Sequence, residues 1–139
     1  MDNYNNIILM LKEKDSGFFV GTIGSFEIKQ NIEYIDKIYA EQNGEVIDIF
    51  LTLTTQEIEE DWKYSGIFDL YSEEIFSNKI SNFEELSGDY NPKWILKFEY
   101  LDNESETEEF INEILNMHVA ELERIIPLIN KDDYTEEEE

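Results

Sequence analysis

The chain has 139 residues, of which 34 are Asp or Glu and 10 are Lys or Arg, giving a formal net charge of −24. One domain is expected at this length, and a hydrophobic fraction of 41% is enough for a real core. The absence of cysteine excludes a disulfide framework, a thiolate nucleophile and any Cys-ligated zinc or iron–sulfur site, while the charge opposes binding to bare nucleic acid or an anionic membrane.

The first residues lack the basic start of a signal peptide, and the apolar run at 7–11 is too short to span a bilayer, so a cytoplasmic address is expected. Asn6–Lys12 reads as a central strand buried on both faces. Asp15-Ser16-Gly17 supplies a turn, and two strands follow at 18–22 and 25–30. Gly21-Thr22-Ile23-Gly24 has no following helix and no Lys, so it reads as a strand bend or bulge rather than a phosphate loop. Strands at 34–41 and 45–54 flank Asn43-Gly44, a hairpin signal that predicts a type I′ turn. In the second arm Ile47, Ile49, Leu51 and Leu53 alternate with Asp48 and Thr52, one face in and one out.

Thr54-Thr55-Gln56-Glu57 has the form of a capping box, which predicts a helix over 56–76 with Tyr64, Phe68, Tyr71 and Ile75 as its buried stripe. Ser65-Gly66 is a break or kink point in it, and a strand over Ile67–Tyr71 is the alternative reading. Residues 77–92 are polar and turn-rich, and 93–101 alternates as a strand. Ser105-Glu106-Thr107-Glu108 is a second capping box, opening a helix to about residue 126 that Pro127 ends. Its core stripe is Phe110, Ile114, His118, Leu122 and Ile125; its outer face carries Glu106, Glu109, Glu113, Asn116 and Glu123. The expected architecture is α+β: an antiparallel sheet of five or six strands with two helices packed on one face. It forms a single domain over residues 1–131, followed by a disordered acidic tail, 132–139.

Catalytic motifs are not found. His118, the single histidine, sits on an apolar stripe and reads as a partly buried side chain with one hydrogen bond. The run Asp102-Asn103-Glu104-Ser105-Glu106 spaces oxygens like the start of a calcium loop, but it lacks the glycine at position six and the Glu at position twelve. No metal or cofactor is expected, and the chain reads as a non-enzyme.

The acids themselves are the strongest signal. A net charge of about 2–8 in magnitude serves solubility for a small domain, and the acidic tail supplies only six of the 34 acids. Glu106, Glu109 and Glu113 recur about once per helical turn, roughly every 5.4 Å, a row able to imitate a phosphate backbone. Glu57, Glu59, Glu60 and Asp61 precede Trp62 in a segment crowded with aromatics, and Trp62 and Tyr90 are candidate exposed anchors. In size, acidity, missing cysteine and α+β content the chain resembles nuclease immunity proteins and DNA-mimic inhibitors of restriction or CRISPR enzymes. That resemblance implies a non-enzymatic inhibitor or decoy whose partner is a basic nuclease or nucleic-acid-binding protein. The alternative expectation is an adaptor or assembly domain that binds through aromatic and apolar surface.

Overall fold

The computed structural model describes residues 6–77, 79–86, 88, 90–100 and 103–134; Asp102 and the last five residues of the acidic tail lie outside this set. The fold is α+β, a six-stranded sheet in the order β2-β1-β3-β4-β6-β5 with two helices on one face.

Strands β1 (Asn6–Lys12) and β2 (Phe19–Glu27) form a hairpin. Gly17, at φ 79°, makes its turn. The two runs expected at 18–22 and 25–30 are one strand, irregular rather than broken. The pairing slips between Leu9 and Met10 and again between Leu11 and Lys12, so Ile23 and Val20 are the extra residues. The glycine pair at 21 and 24 thus marks a bulged edge, as its composition predicts.

β1 is not central. It lies one strand in from the edge, and only Leu9 is fully buried. Nor is every pairing antiparallel: β1 runs parallel to β3 (Ile35–Asn43), with Leu11 beside Ala40 and Lys12 beside Glu41. The reason is the connection after β2, which passes through a short 3-10 turn at Ile32–Tyr34 and enters the sheet on the other side of β1. The centre of the sheet is β3 and β4 (Val46–Thr54). Their hairpin closes through Gly44 and Glu45, with Asn43 still paired to Val46. Gly44 has φ 68° and neither Asn43 nor Glu45 has positive φ, so this is not the type I′ turn; glycine at the first central position is the type II′ requirement.

Helix α1 spans only Asp61–Leu70. The expected cap at Thr54 fails because Thr54 is still the end of β4, paired with Lys93, and its hydroxyl donates to the Pro92 carbonyl at 2.9 Å. Residues 55–60 are extended loop, pinned where Ile58 N–H donates to the Asn91 side chain. The segment expected as the rest of this helix is a separate 3-10 turn, Glu73–Phe76.

Gly66 does not break α1; it is buried against Ile129. A Cβ there would run into Ile129 Cγ2, with Cγ1 3.0 Å away. Gly66→Ala therefore gains about 1 kcal/mol of helix propensity and loses about 1–3 kcal/mol to overpacking, for a net loss in denaturant melts. The same substitution in an Ile129→Ala background should reverse sign and stabilise.

β5 (Asn82–Leu86) falls in the stretch expected to be only turns, and it pairs with β6 (Lys93–Glu99) at the far edge. Helix α2 spans Glu104–Ile125. Its N-cap is Asn103, which accepts from Glu106 N–H at 3.0 Å, rather than Ser105. Pro127 ends it in a 3-10 turn, Ile126–Leu128. Lys131–Asp133, where the expected tail begins, forms a further 3-10 turn, and the tail from residue 135 on lies outside the described residues.

The core lies between the sheet and the helices. Leu9, Phe26, Ile49, Leu51, Trp94 and Leu96 face Ile67, Phe76, Ile111, Ile114, Leu115 and Ile125. The expected α2 stripe is buried except Phe110, which is half-buried and packs edge-on to Phe98.

Along β2, α2 does what a neighbouring strand would do. Glu104 accepts from Ser25 N–H at 2.9 Å, Glu108 from Glu27 N–H at 2.8 Å, and Asn112 from Lys29 N–H at 2.8 Å. Asn112 also donates to the Glu27 carbonyl, and Asn116 accepts from Gln30. The match is geometric: four helical residues advance about 6.0 Å and two strand residues about 6.8 Å. A row at i, i+4, i+8 therefore meets every second N–H of the edge and covers it.

Candidate protein-binding surface

The acids of α2 fall into two groups with different work. Glu104 and Glu108 are committed to β2. Glu121 is buried, accepts from Ser72 N–H at 3.0 Å, and is held by both arms of Arg124, the only arginine, at 2.9 and 2.8 Å. The Arg124 hydrogen bonds hold the Glu121 carboxyl below its usual pKa against the opposing effect of burial. Glu106, Glu109, Glu113 and Glu123 are exposed. Of these, Glu113 meets Lys79 at 3.3 Å.

Glu109 and Glu113 line a groove of about 550 Å³ together with Lys29, Asn112 and Asn116. The other expected cluster is elsewhere. Glu57, Glu59, Glu60 and Asp61 are all exposed on the loop before α1 and its first turn. Glu57 lines a cleft of about 590 Å³ floored by Val119, Leu122, Ile126 and Pro127, with Glu123 and Lys63 on its rim. Roughly ten residues of α2 separate the two places, about 15 Å along the axis. The structure therefore presents two acidic surfaces on the helix layer and does not merge them.

The aromatic anchors divide likewise. Trp62 is half-buried, not exposed, with the Lys63 ammonium 5.6 Å from its ring centroid. Tyr90 is well exposed, and its hydroxyl donates to Glu57 at 2.6 Å. That bond to Glu57 raises the Tyr90 pKa.

His118 departs from expectation: it is fully buried and makes two hydrogen bonds. A carbonyl only accepts, so Nε2–H donates to Thr54 O at 2.8 Å, and Nδ1 accepts from the Tyr71 hydroxyl at 2.7 Å. Burial pushes the His118 pKa down to about 4 and pushes that of Tyr71 up. Both are neutral at pH 7. Tyr34 lies edge-on to the imidazole at 5.9 Å and itself lines the 590 Å³ cleft, so an aromatic ring stands between the histidine and the cleft.

Among the described residues, no three Asp, Glu or His side chains are placed to hold a metal ion. No helix among them is long and apolar enough to cross a membrane.

Sequence reasoning missed the structural acids Glu104, Glu108 and Glu121. The signal for the first two was present in the spacing of Glu104, Glu108, Asn112 and Asn116, but nothing in the sequence said that a strand edge would face that row. It also missed Glu123 as the rim of a cleft, because the cleft is made by segments about 60 residues apart.

No curated protein and no solved structure matches this chain. A protein-family model does match over residues 1–136, and the chain belongs to that family, DUF6762, a family of unknown function.

Proposed function

We propose that this chain is a non-enzymatic binding protein of the cytoplasm. Its acidic helix layer occupies the basic surface of a nuclease or other nucleic-acid-binding protein, as an inhibitor or decoy of immunity or anti-defence type. The observation that carries the reading is the division of labour on α2. Glu104, Glu108 and Glu121 are spent on the fold, yet Glu106, Glu109, Glu113 and Glu123 stay exposed on the other side. A stable fold does not need that second set, which adds to the self-repulsion of a −24 chain. A basic groove built for phosphates offers the matching charge, with fast, salt-sensitive association.

The test is capture of partners from lysate at about 50 mM salt, followed by a salt step, since exposed ionic contacts fade as the Debye length shrinks. A basic nucleic-acid-binding protein should be released by salt. The triple variant Glu106→Gln, Glu109→Gln, Glu113→Gln should bind it at least tenfold more weakly, with a shallower salt dependence. Undiminished binding by that variant would sink the proposal.

A second reading, an adaptor or assembly domain using apolar surface, is favoured by one observation: Ile8, Phe19 and Val46 are exposed on the strands of the sheet. In that case the triple variant binds normally and the acids only solvate.

A further inference from the structure

The helices cover one face of the sheet, and the pairing shows what the other face carries. Ala40 sits opposite Ile49, and Leu11 beside Ala40, with Leu9 and Ile49 buried in the core. The alternate residues therefore project away from the helices. They include Ile8, Met10 and Lys12 on β1, Lys37 and Tyr39 on β3, Phe50 on β4, and Ile95 and Lys97 on β6. Tyr39 and Phe50 stack at 5.1 Å in the middle of this face, with the Lys12 ammonium 4.6 Å from the Tyr39 centroid and that of Lys97 5.8 Å from Phe50.

Two properties set this face apart. First, it gathers exposed apolar groups. Ile8 is 56% exposed, Phe19 54% and Val46 39%; all three project from it by register, and Phe18 and Val20 flank Phe19 at its corner. Second, it gathers bases. Lys12, Lys37, Lys93 and Lys97 are four of the ten basic residues in the chain. Lys97 meets Asp48 at 3.9 Å and Lys93 meets Asp36 at 3.4 Å. By register Glu27, Glu41, Asp48, Glu84 and Glu99 share the face with these four lysines, and Asp36 sits beside Lys93, so the face is only slightly negative on a chain of net charge −24.

We propose that this open sheet face is where a second copy of the chain docks, giving a two-fold dimer with the two sheets face to face. Charge selects the occupant. Any approach through the helix layer sets carboxylate against carboxylate. Approach through the sheet face meets mixed charge and apolar groups, and leaves the acidic layers on opposite outer sides. A two-fold axis makes the surface its own complement. The size suffices: six strands about 4.8 Å apart and five to nine residues long, at about 3.3 Å per residue, give roughly 700 Å² of projected area per copy, so a pair exceeds the roughly 1,000 Å² of a specific interface. This inference goes beyond the binding reading and does not depend on it.

Sedimentation equilibrium of the full chain decides it. The expected species at micromolar concentration has twice the 16.5 kDa chain mass. Raising salt from about 50 to 500 mM should preserve or tighten the dimer, because screening weakens the repulsion between two −24 chains. Ile8→Glu and Phe19→Glu, at positions more than half exposed, should each weaken it at least tenfold with unchanged circular dichroism. Leu128→Glu, at a position 61% exposed on the helix side, should leave it intact. A monomer at all salts up to about 100 μM overturns the proposal, as does a dimer indifferent to Ile8→Glu and Phe19→Glu. Salt also separates this from the binding proposal, since partner capture is lost where the dimer is kept.

Discussion

Between pH 7.0 and 5.5 the protein should lose about 1.2 kcal/mol of folding stability through His118 alone, given a folded pKa of about 4 and an unfolded one of 6.5. The sign follows from proton counting. Unfolded chains bind a proton at this histidine below pH 6.5, whereas the folded protein keeps it neutral until about pH 4. Stability is thus fully present above 6.5 and falls as the pH drops through that window. His118 is the only histidine, and ordinary carboxylates titrate lower, so the upper part of the window belongs to it. Below about pH 5 protonation of the carboxylates relieves self-repulsion and opposes the loss, so the curve should flatten. Urea melts of wild type and His118→Gln at several pH values check this. The variant should be weaker at pH 7.0 and nearly flat down to 5.5. An equal slope in both proteins would show that His118 is not the cause.

Trp94→Ala should cost about 3–5 kcal/mol, the range for emptying a large aromatic from a core. Trp94 is fully buried, with Tyr71 stacked on it at 4.4 Å and Phe68 and His118 edge-on at 5.4 and 5.3 Å. The loss therefore unseats the ring cluster that ties α1, α2 and β6 together. Trp94→Phe should cost much less, under about 2 kcal/mol, because two effects oppose. Ring volume is lost, but the Trp94 indole N–H, buried without a partner among the described residues, is removed with it. Thermal melts of the three proteins decide the point. If Phe proves as costly as Ala, the indole N–H is satisfied in solution.

The strands with clean alternation were legible in the sequence. Ile47, Ile49, Leu51 and Leu53, and Trp94, Leu96 and Phe98, each share one face in the structure as their period-two spacing requires. The long amphipathic helix and its proline stop were legible too, as were the exposed positions of Glu106, Glu109 and Glu113. What misled was local grammar whose outcome depends on distant contacts. Thr54 has the look of a helix cap, but pairing with Lys93 claims it for β4. Asn82–Leu86 reads as a polar loop because an edge strand with two glutamates keeps little apolar pattern. β1 reads as central because its apolar outer side, Ile8 and Met10, belongs to a face that no helix covers. For the candidate site, the charges could be counted from sequence, but which of them are consumed by hydrogen bonds could not.

The carboxylates and amides of α2 that seal β2 come from about 80 residues downstream of the strand they seal. During synthesis on the ribosome, β1 to β6 emerge before that cover exists. A nascent chain stopped short of residue 104 carries the amides of Ser25, Glu27 and Lys29 bare, beside the uncharged stretch Phe18 to Phe26. Helix α2, translated after all six strands, is therefore also the element that ends the period of greatest aggregation risk, and the negative charge already present in residues 1–103, 21 acids against 8 bases, keeps neighbouring nascent copies apart until it arrives.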